Sequence, residues 1–375
     1  MEHTFDNIRP YRDEEVALAV SELVQEADFY RILQFLYKEK ADQVLENLKS
    51  ANSIMDFQVT FIKPVLESMI KETTNGVSFS GQENLPRNKA CLFVSNHRDI
   101  VMDPALVDYG LHLNGMDTVE IAIGSNLLIK PWIEMMVKLN RCFVVRRGVH
   151  GRELLLSSKN MSSYIHDTIS NRNDHVWIAQ REGRAKDGDD RTHSGILRML
   201  NMGSGEKDPV KGLAKLNIVP ISISYEFDPC DVLKAKELAL KASGKEFVKT
   251  QEEDLQSMAL GMSGYKGKVH IHYSKPITED ILRLKSDDPQ EVYNDIASVL
   301  DKAIHAGLRI FGSHKAAAAL LNPDAMDASV DEISEFRHYL SKQLSRYNAD
   351  EKLAEFVMLQ YANPAINAGN ALTGN

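Results

Sequence analysis

The 375-residue sequence is poor in cysteine, in tryptophan and in long apolar runs. Its three cysteines, Cys91, Cys142 and Cys230, lie far apart and form no CxxC pair. That spacing excludes a disulfide framework and a cysteine zinc site, and it fits a reducing compartment. No apolar run reaches the roughly 18 residues that a membrane-spanning helix needs. The start, Met1-Glu2-His3-Thr4-Phe5-Asp6-Asn7, has neither the basic nor the apolar part of a signal peptide. The expected location is the cytoplasm, either as a soluble protein or as one peripheral to the inner face of the membrane. Positive charge is also short: 44 Lys and Arg against 53 Asp and Glu give a net charge of −9. A general nucleic-acid binder needs a basic footprint instead, so no nucleic-acid partner is expected. G-x-S-x-G, H-E-x-x-H and P-loop patterns are all missing, which removes three common hydrolase and nucleotide readings. His97-Arg98-Asp99 invites a protein-kinase reading, but Pro104 stands where that motif needs Asn, and no Asp-Phe-Gly follows.

What is present is an ordinary globular balance, with 43% hydrophobic and 26% charged residues. Residues 13–73 read as helices almost throughout, beginning at the acidic Asp13-Glu14-Glu15 that a helix N-terminus prefers. From about residue 77 the texture changes to short apolar runs: 91–94, 119–123, 142–145, 175–179 and 218–223, with 269–273 as a further candidate. Helical patterns over 104–114, 126–139, 150–170 and 195–215 separate the first five. Strands alternating with helices predict an α/β fold, a mostly parallel central sheet flanked by helices. Pro220 inside the fifth run points to an edge strand or a bulge. A polar helical excursion follows over 228–265. Helical patterns return over 289–309, 316–321, 330–346 and 349–361, with Ser329 and Glu332 at capping-box spacing, and the tail after Asn363-Pro364 reads as loose. The expected organisation is an N-terminal helical domain (1–76), an α/β domain (77–285) and a C-terminal helical region (286–375).

Three polar loops follow three of the strand candidates. Ser95-Asn96-His97-Arg98-Asp99 leads into a helix opening at Asp103-Pro104, so His97 lies at the carboxyl end of a strand, where open α/β sheets bind ligands. A histidine with a carboxylate one short loop away suits general-base work, because imidazole takes a proton near neutral pH and the carboxylate fixes its tautomer. Asp103 also reads as a helix N-cap before Pro104 at the first helical position, and the two roles are compatible. The second loop carries Arg146-Arg147-Gly148, either a planar-fork phosphate site or a solvated strand end. The third is Glu182-Gly183-Arg184-Ala185-Lys186, in which a glycine turn would direct a carboxylate and a guanidinium into one cleft.

In order along the chain, His97…Asp103-Pro104-Ala105, Phe143-Val144-Val145-Arg146-Arg147-Gly148, Glu182-Gly183-Arg184 and Ile218-Val219-Pro220-Ile221 resemble the four motifs of the glycerolipid acyltransferases. These are the glycerol-3-phosphate and 1-acylglycerol-3-phosphate acyltransferases, and the resemblance covers residues 90–225. Five residues separate His97 from Asp103 where the family has four, and Gly183 adjoins Arg184 where the family usually has a residue between. The paired arginines look closer to the glycerol-3-phosphate branch. Ile8-Arg9-Pro10-Tyr11-Arg12 looks like a bacterial subgroup labelled as 1-acylglycerol-3-phosphate acyltransferases.

The resemblance implies an O-acyltransferase of phospholipid biosynthesis with no cofactor and no metal. Acyl-CoA or an acyl carrier protein would be the donor partner and a phosphorylated glycerol the acceptor. His97 would be the general base, Asp103 its partner, and Arg146, Arg147, Glu182, Gly183, Arg184 and Lys186 the substrate-binding set. Two rivals stand beside this reading: acyl transfer to another acceptor, such as a lysophospholipid or another hydroxyl or amine, and a non-catalytic lipid-binding protein that kept the fold. Residues 126–139 read as a helix packed on the sheet, or as one that touches a membrane or lines an acyl groove. His270 and His272 share a strand face and read as solvated rather than as metal ligands.

Overall fold

The six short apolar runs, with a seventh strand at Val77–Ser80 that the sequence reading did not mark, pair into one seven-stranded sheet. A computed structural model of the chain describes residues 5–373 apart from 246, 248, 249 and 287. The strands are β1 (Val77–Ser80), β2 (Leu92–Ser95), β3 (Glu120–Gly124), β4 (Cys142–Val145), β5 (Val176–Ala179), β6 (Val219–Tyr225) and β7 (Val269–Tyr273). Their spatial order is β1-β7-β6-β2-β5-β3-β4. Strands β6, β2, β5, β3 and β4 are mutually parallel, β7 is antiparallel to β6, and β1 runs parallel to β7.

Sheets covered on both faces need apolar side chains at every position, which is why the runs read as continuous rather than alternating. Every residue of β2 and of β6 is buried. Leu92 and Val94 enter one core with Phe143, Tyr164 and Leu300. Phe93 enters the opposite core with Leu106, Trp177 and Tyr273. The carboxyl ends of the five parallel strands share one rim, so the loops after β2, β4 and β5 all emerge there.

Several elements differ from the sequence reading. Pro220 lies in an interior strand, not at an edge. It is the second residue of β6, and pairing with β7 begins only at Ile221, so the proline nitrogen is not asked to donate there. The 195–215 pattern splits into helices Ser194–Asn201 and Pro209–Ala214. Within 126–139 only Pro131–Leu139 is α-helical. Trp132 and Leu139 of that helix are buried in one cluster with Phe29, Phe57 and Phe61. The apolar side read as facing the sheet or a membrane therefore packs mainly on the N-terminal helices. His270 is buried rather than solvated: its two ring nitrogens lie 2.8 Å from the hydroxyls of Ser78 and Ser80. Burial pushes its pKa down to about 4. The Ser329 capping box is present, with the Glu332 N–H donating to Ser329 Oγ and the Ser329 N–H to Glu332 Oε2.

The segment before the first helix closes one end of the sheet. Val144 N–H of edge strand β4 donates to the Ile8 carbonyl at 2.8 Å, and Ile8 is buried. An unpaired edge invites pairing with other chains, and this segment covers it.

The tail is not loose. Helix Lys352–Thr373 continues past Pro364 and packs against the loop after β5. Asn363 Nδ2 donates to the Asp187 carbonyl and Asn367 Nδ2 to Asp189 Oδ1. Proline removes the helical donor that would meet the carbonyl four residues back, here that of Gln360. Gly188 approaches that same carbonyl with φ +75°, and a β-carbon there would sit 2.5 Å from it. Gly188→Ala should therefore lower stability by about 2 kcal/mol, read as a shift in the urea midpoint. An unshifted midpoint would mean the helix and the loop are not packed this way.

Among the described residues, no helix is long and apolar enough to cross a membrane.

Candidate active site

β2 delivers its chain to the rim at Ser95, and Asn96 anchors the turn that begins there. Its side chain donates to the Ile223 carbonyl and accepts from the Ile223 N–H, at 2.9 and 2.8 Å, tying the turn to neighbouring β6. The turn then folds back on helix Met102–Leu113. Asp99 Oδ1 accepts from the Val101 and Met102 N–H groups at 2.9 and 2.8 Å, so Asp99 takes the capping task that the sequence reading gave to Asp103.

Asp103 points the other way, into the turn. Its Oδ2 lies 2.8 Å from His97 Nδ1 and accepts from the Arg98 and Asp99 N–H groups at 2.6 and 2.9 Å. Its Oδ1 accepts from Tyr225 Oη at 3.0 Å. A carboxylate on Nδ1 favours the tautomer with hydrogen there, which leaves the Nε2 lone pair free to take a proton. Asp103 is fully buried, while the His97 side chain keeps 14% of its surface accessible. The residue by which this spacing exceeds the four-residue motif does not separate the pair. Burial, reinforced by the Asp103 charge, pushes the Asp99 carboxyl above its usual range, with the Met102 N–H and Arg184 opposing.

The six candidate substrate ligands divide into two groups. Arg146, Arg147, Glu182 and Gly183 are exposed on the rim, where Arg147 forms an ion pair with Glu182. Gly183, at φ +69°, reverses the chain, so the next side chain goes inward. Arg184 is only 5% exposed, and its Nη1 has no hydrogen-bond partner among the described residues. Lys186 Nζ lies 3.5 Å from Glu237 and donates to the Arg184 carbonyl at 3.1 Å. Glu182 and Arg184 thus do not face one cleft, as the glycine turn suggested; they part at it.

Other contributors escaped the sequence reading. The Trp177 ring meets the His97 ring edge-on at 5.8 Å between centroids, and its Nε1 donates to Ser95 Oγ. Its one signal was a large aromatic inside an otherwise aliphatic run. Tyr225 ends β6, just past the last recognisable motif. Beneath the turn, Lys234 Nζ donates to the Arg98 carbonyl at 2.9 Å and pairs with Asp228. Burial opposes the charge on Asp228, but Lys234 and the Cys230 N–H outweigh it and hold the carboxyl below its usual range. Arg98 Nη1 lies 3.6 Å from Asp190, whose buried oxygens accept no hydrogen bond among the described residues. No local pattern marks these residues, because the fold brings them together over 82 to 136 positions.

Residues 76–224 match the family model described as Acyltransferase. These residues form an acyltransferase domain. The match contains His97, Asp103 and all six candidate ligands. Among solved structures, the chain is similar to the 1-acyl-sn-glycerophosphate (LPA) acyltransferase PlsC from Thermotoga maritima. Identity is 16% and the TM-score 0.37, over 77% of this chain and 93% of that one. No curated protein gives a significant match. The family match alone carries the assignment of acyl transfer.

Proposed function

We propose that the acyltransferase domain moves a fatty acyl group from a thioester to a hydroxyl of glycerol-3-phosphate or 1-acylglycerol-3-phosphate, in phospholipid biosynthesis. The thioester is acyl-CoA or acyl carrier protein, and the setting is the cytoplasm at the inner membrane face. The observation that carries this reading is the 2.8 Å contact of His97 Nδ1 with the buried Asp103 carboxylate inside the acyltransferase match. In the proposed step, His97 Nε2 takes the proton of the acceptor hydroxyl as its oxygen attacks the thioester carbonyl. The tetrahedral intermediate then expels the thiolate, and the imidazolium returns the proton to it, leaving ester and free thiol. Asp103 orients the ring and balances the imidazolium charge. No covalent enzyme intermediate is required.

Arg146 and Arg147 on the rim offer planar forks to an acceptor phosphate, and the unpartnered Arg184 Nη1 offers a further buried donor. Thioester consumption with both donor types, against glycerol-3-phosphate and then 1-acylglycerol-3-phosphate, tests the reading and identifies the preferred pair. No turnover with any pair would overturn it. Arg147→Ala should raise the acceptor KM by about 10-fold with little change in kcat, because a charge-assisted contact to phosphate acts in ground and transition states alike. An unchanged KM would remove that arginine from the acceptor site.

A further inference from the structure

Helix Gly151–Ser170 is buried along its second half, at Ser162, Tyr164, Ile165, His166, Thr168 and Ile169. Its first six residues, 151–156, are all exposed. At 1.5 Å per residue they form a tip about 9 Å long. That tip carries three consecutive leucines, Leu154, Leu155 and Leu156, exposed by 48%, 57% and 57%. Consecutive helical residues point in directions about 100° apart, so no single groove on a rigid partner receives all three. A fluid apolar phase does.

The charge around the tip has one predominant sign. Arg152 and Lys159 lie on the helix, and Arg146 and Arg147 stand at the end of β4, against the carboxylates of Glu153 and Glu182. Ion pairs connect the tip to the rim of the site: Arg146 lies 3.8 Å from Glu153, and Arg147 pairs with Glu182. Arg147 N–H also donates to Ser125 Oγ, which sets the half-buried Leu127 and Leu128 alongside. This chain is acidic overall, so a local basic excess beside exposed leucines is a distinct feature of the surface.

We propose that the Gly151–Leu156 tip enters the headgroup region of an anionic lipid bilayer, with Leu154, Leu155 and Leu156 in the acyl boundary and the neighbouring basic side chains on lipid phosphates. A tip of about 9 Å matches the 5–10 Å depth at which interfacial helices lie. The docking surface rests on the acyl-transfer reading for its purpose, since it holds the rim of the acyltransferase site against the phase that contains lipid acceptor or product. It places membrane contact on this helix rather than on Pro131–Leu139.

The test is cosedimentation of the full chain with vesicles of phosphatidylcholine alone and of phosphatidylcholine with an equimolar share of phosphatidylglycerol. The wild type should bind the anionic vesicles, bind the neutral ones more weakly, and lose binding as salt rises. L154S/L155S/L156S should weaken binding at least ~10-fold, and R152E/K159E by a similar factor. H97A should bind as the wild type does, so failure of acyl transfer and failure of docking read out separately. A wild type that ignores vesicles, or a triple-leucine variant that binds unchanged, overturns the proposal. Loss of binding to an immobilised acyl carrier protein, with vesicle binding retained, assigns the tip to a protein partner and overturns it too. If the triple variant fails to fold, L155W replaces it. Trp132 and Trp177 are both buried, so a blue shift on anionic vesicles reports insertion of the new indole, and no shift refutes it.

Discussion

His97→Ala should lower kcat by ~10²–10⁴ while leaving the acceptor KM nearly unchanged, since a positioned general base contributes about that factor and contributes it in the transition state. The geometry supports a purely catalytic defect. The His97 side chain is hydrogen-bonded to Asp103 and meets the Trp177 ring edge-on. Asp103 keeps its two backbone donors and Tyr225 when the imidazole is removed. The variant should therefore fold, and single-turnover measurements should show slow chemistry after normal donor binding. His97→Gln, closer in volume, should be as inactive as His97→Ala if proton transfer is what is lost. A variant with near-normal turnover would take His97 out of the reaction and revive the reading of a lipid-binding protein on the same fold.

The second large effect belongs to Asp103, where two substitutions separate two roles. Asp103→Ala removes the acceptor of three N–H donors and one hydroxyl in a fully buried position. Unsatisfied buried donors cost about 1–3 kcal/mol each. Even with partial relaxation, the loss should reach about 4 kcal/mol, visible in denaturant unfolding and in a lower Tm. Asp103→Asn is different. Its carbonyl can replace Oδ2 toward His97 and the two backbone N–H groups, and its amide can donate to the Tyr225 oxygen. Stability should fall by only about 1 kcal/mol, but the charge that balances an imidazolium is gone, so kcat should fall by at least ~10². Wild-type kcat in Asp103→Asn would show that Asp103 only builds the turn. Equal stability of the Asn and Ala variants would show that the donor set around it contributes nothing to folding.

Much of the fold was legible because buried parallel strands leave a strong trace. Five aliphatic runs, each too short for a helix, marked the five parallel strands, and the polar clusters after 94, 145 and 179 marked the rim. The His97–Asp103 pair was legible for the same reason, since both lie on one loop. Arg184 was legible in identity but not in direction, because a glycine with positive φ decides which way the next side chain points and sequence does not print φ. Trp177 and Tyr225 come from other strands, Lys234 from a helix and Asp190 from a loop, and all were hidden by distance along the chain. The tail was misread for a physical reason. Asn363-Pro364 is a breaker signal in isolation, yet here the orphaned Gln360 carbonyl is covered by Gly188, and Asn363 and Asn367 bond the loop beside it. Tertiary contacts overrode local preference.

The sheet order carries a consequence for the time course of synthesis. β1 is the first strand translated, and its one partner is β7, with Val77 beside Val269. At 5–20 residues per second, the roughly 190 residues between them take about 10–40 s to emerge. During that interval the nascent chain can complete β2 to β6 and the segment around His97, yet the Val77–Ser80 stretch has no mate. The N-terminal helices are already made and adjoin that stretch, so they are the natural shelter for it until the last strand arrives. Ribosome-bound chains arrested before residue 269 should therefore show a formed parallel core and an unpaired first strand, the order of completion running opposite to the order of synthesis at that edge.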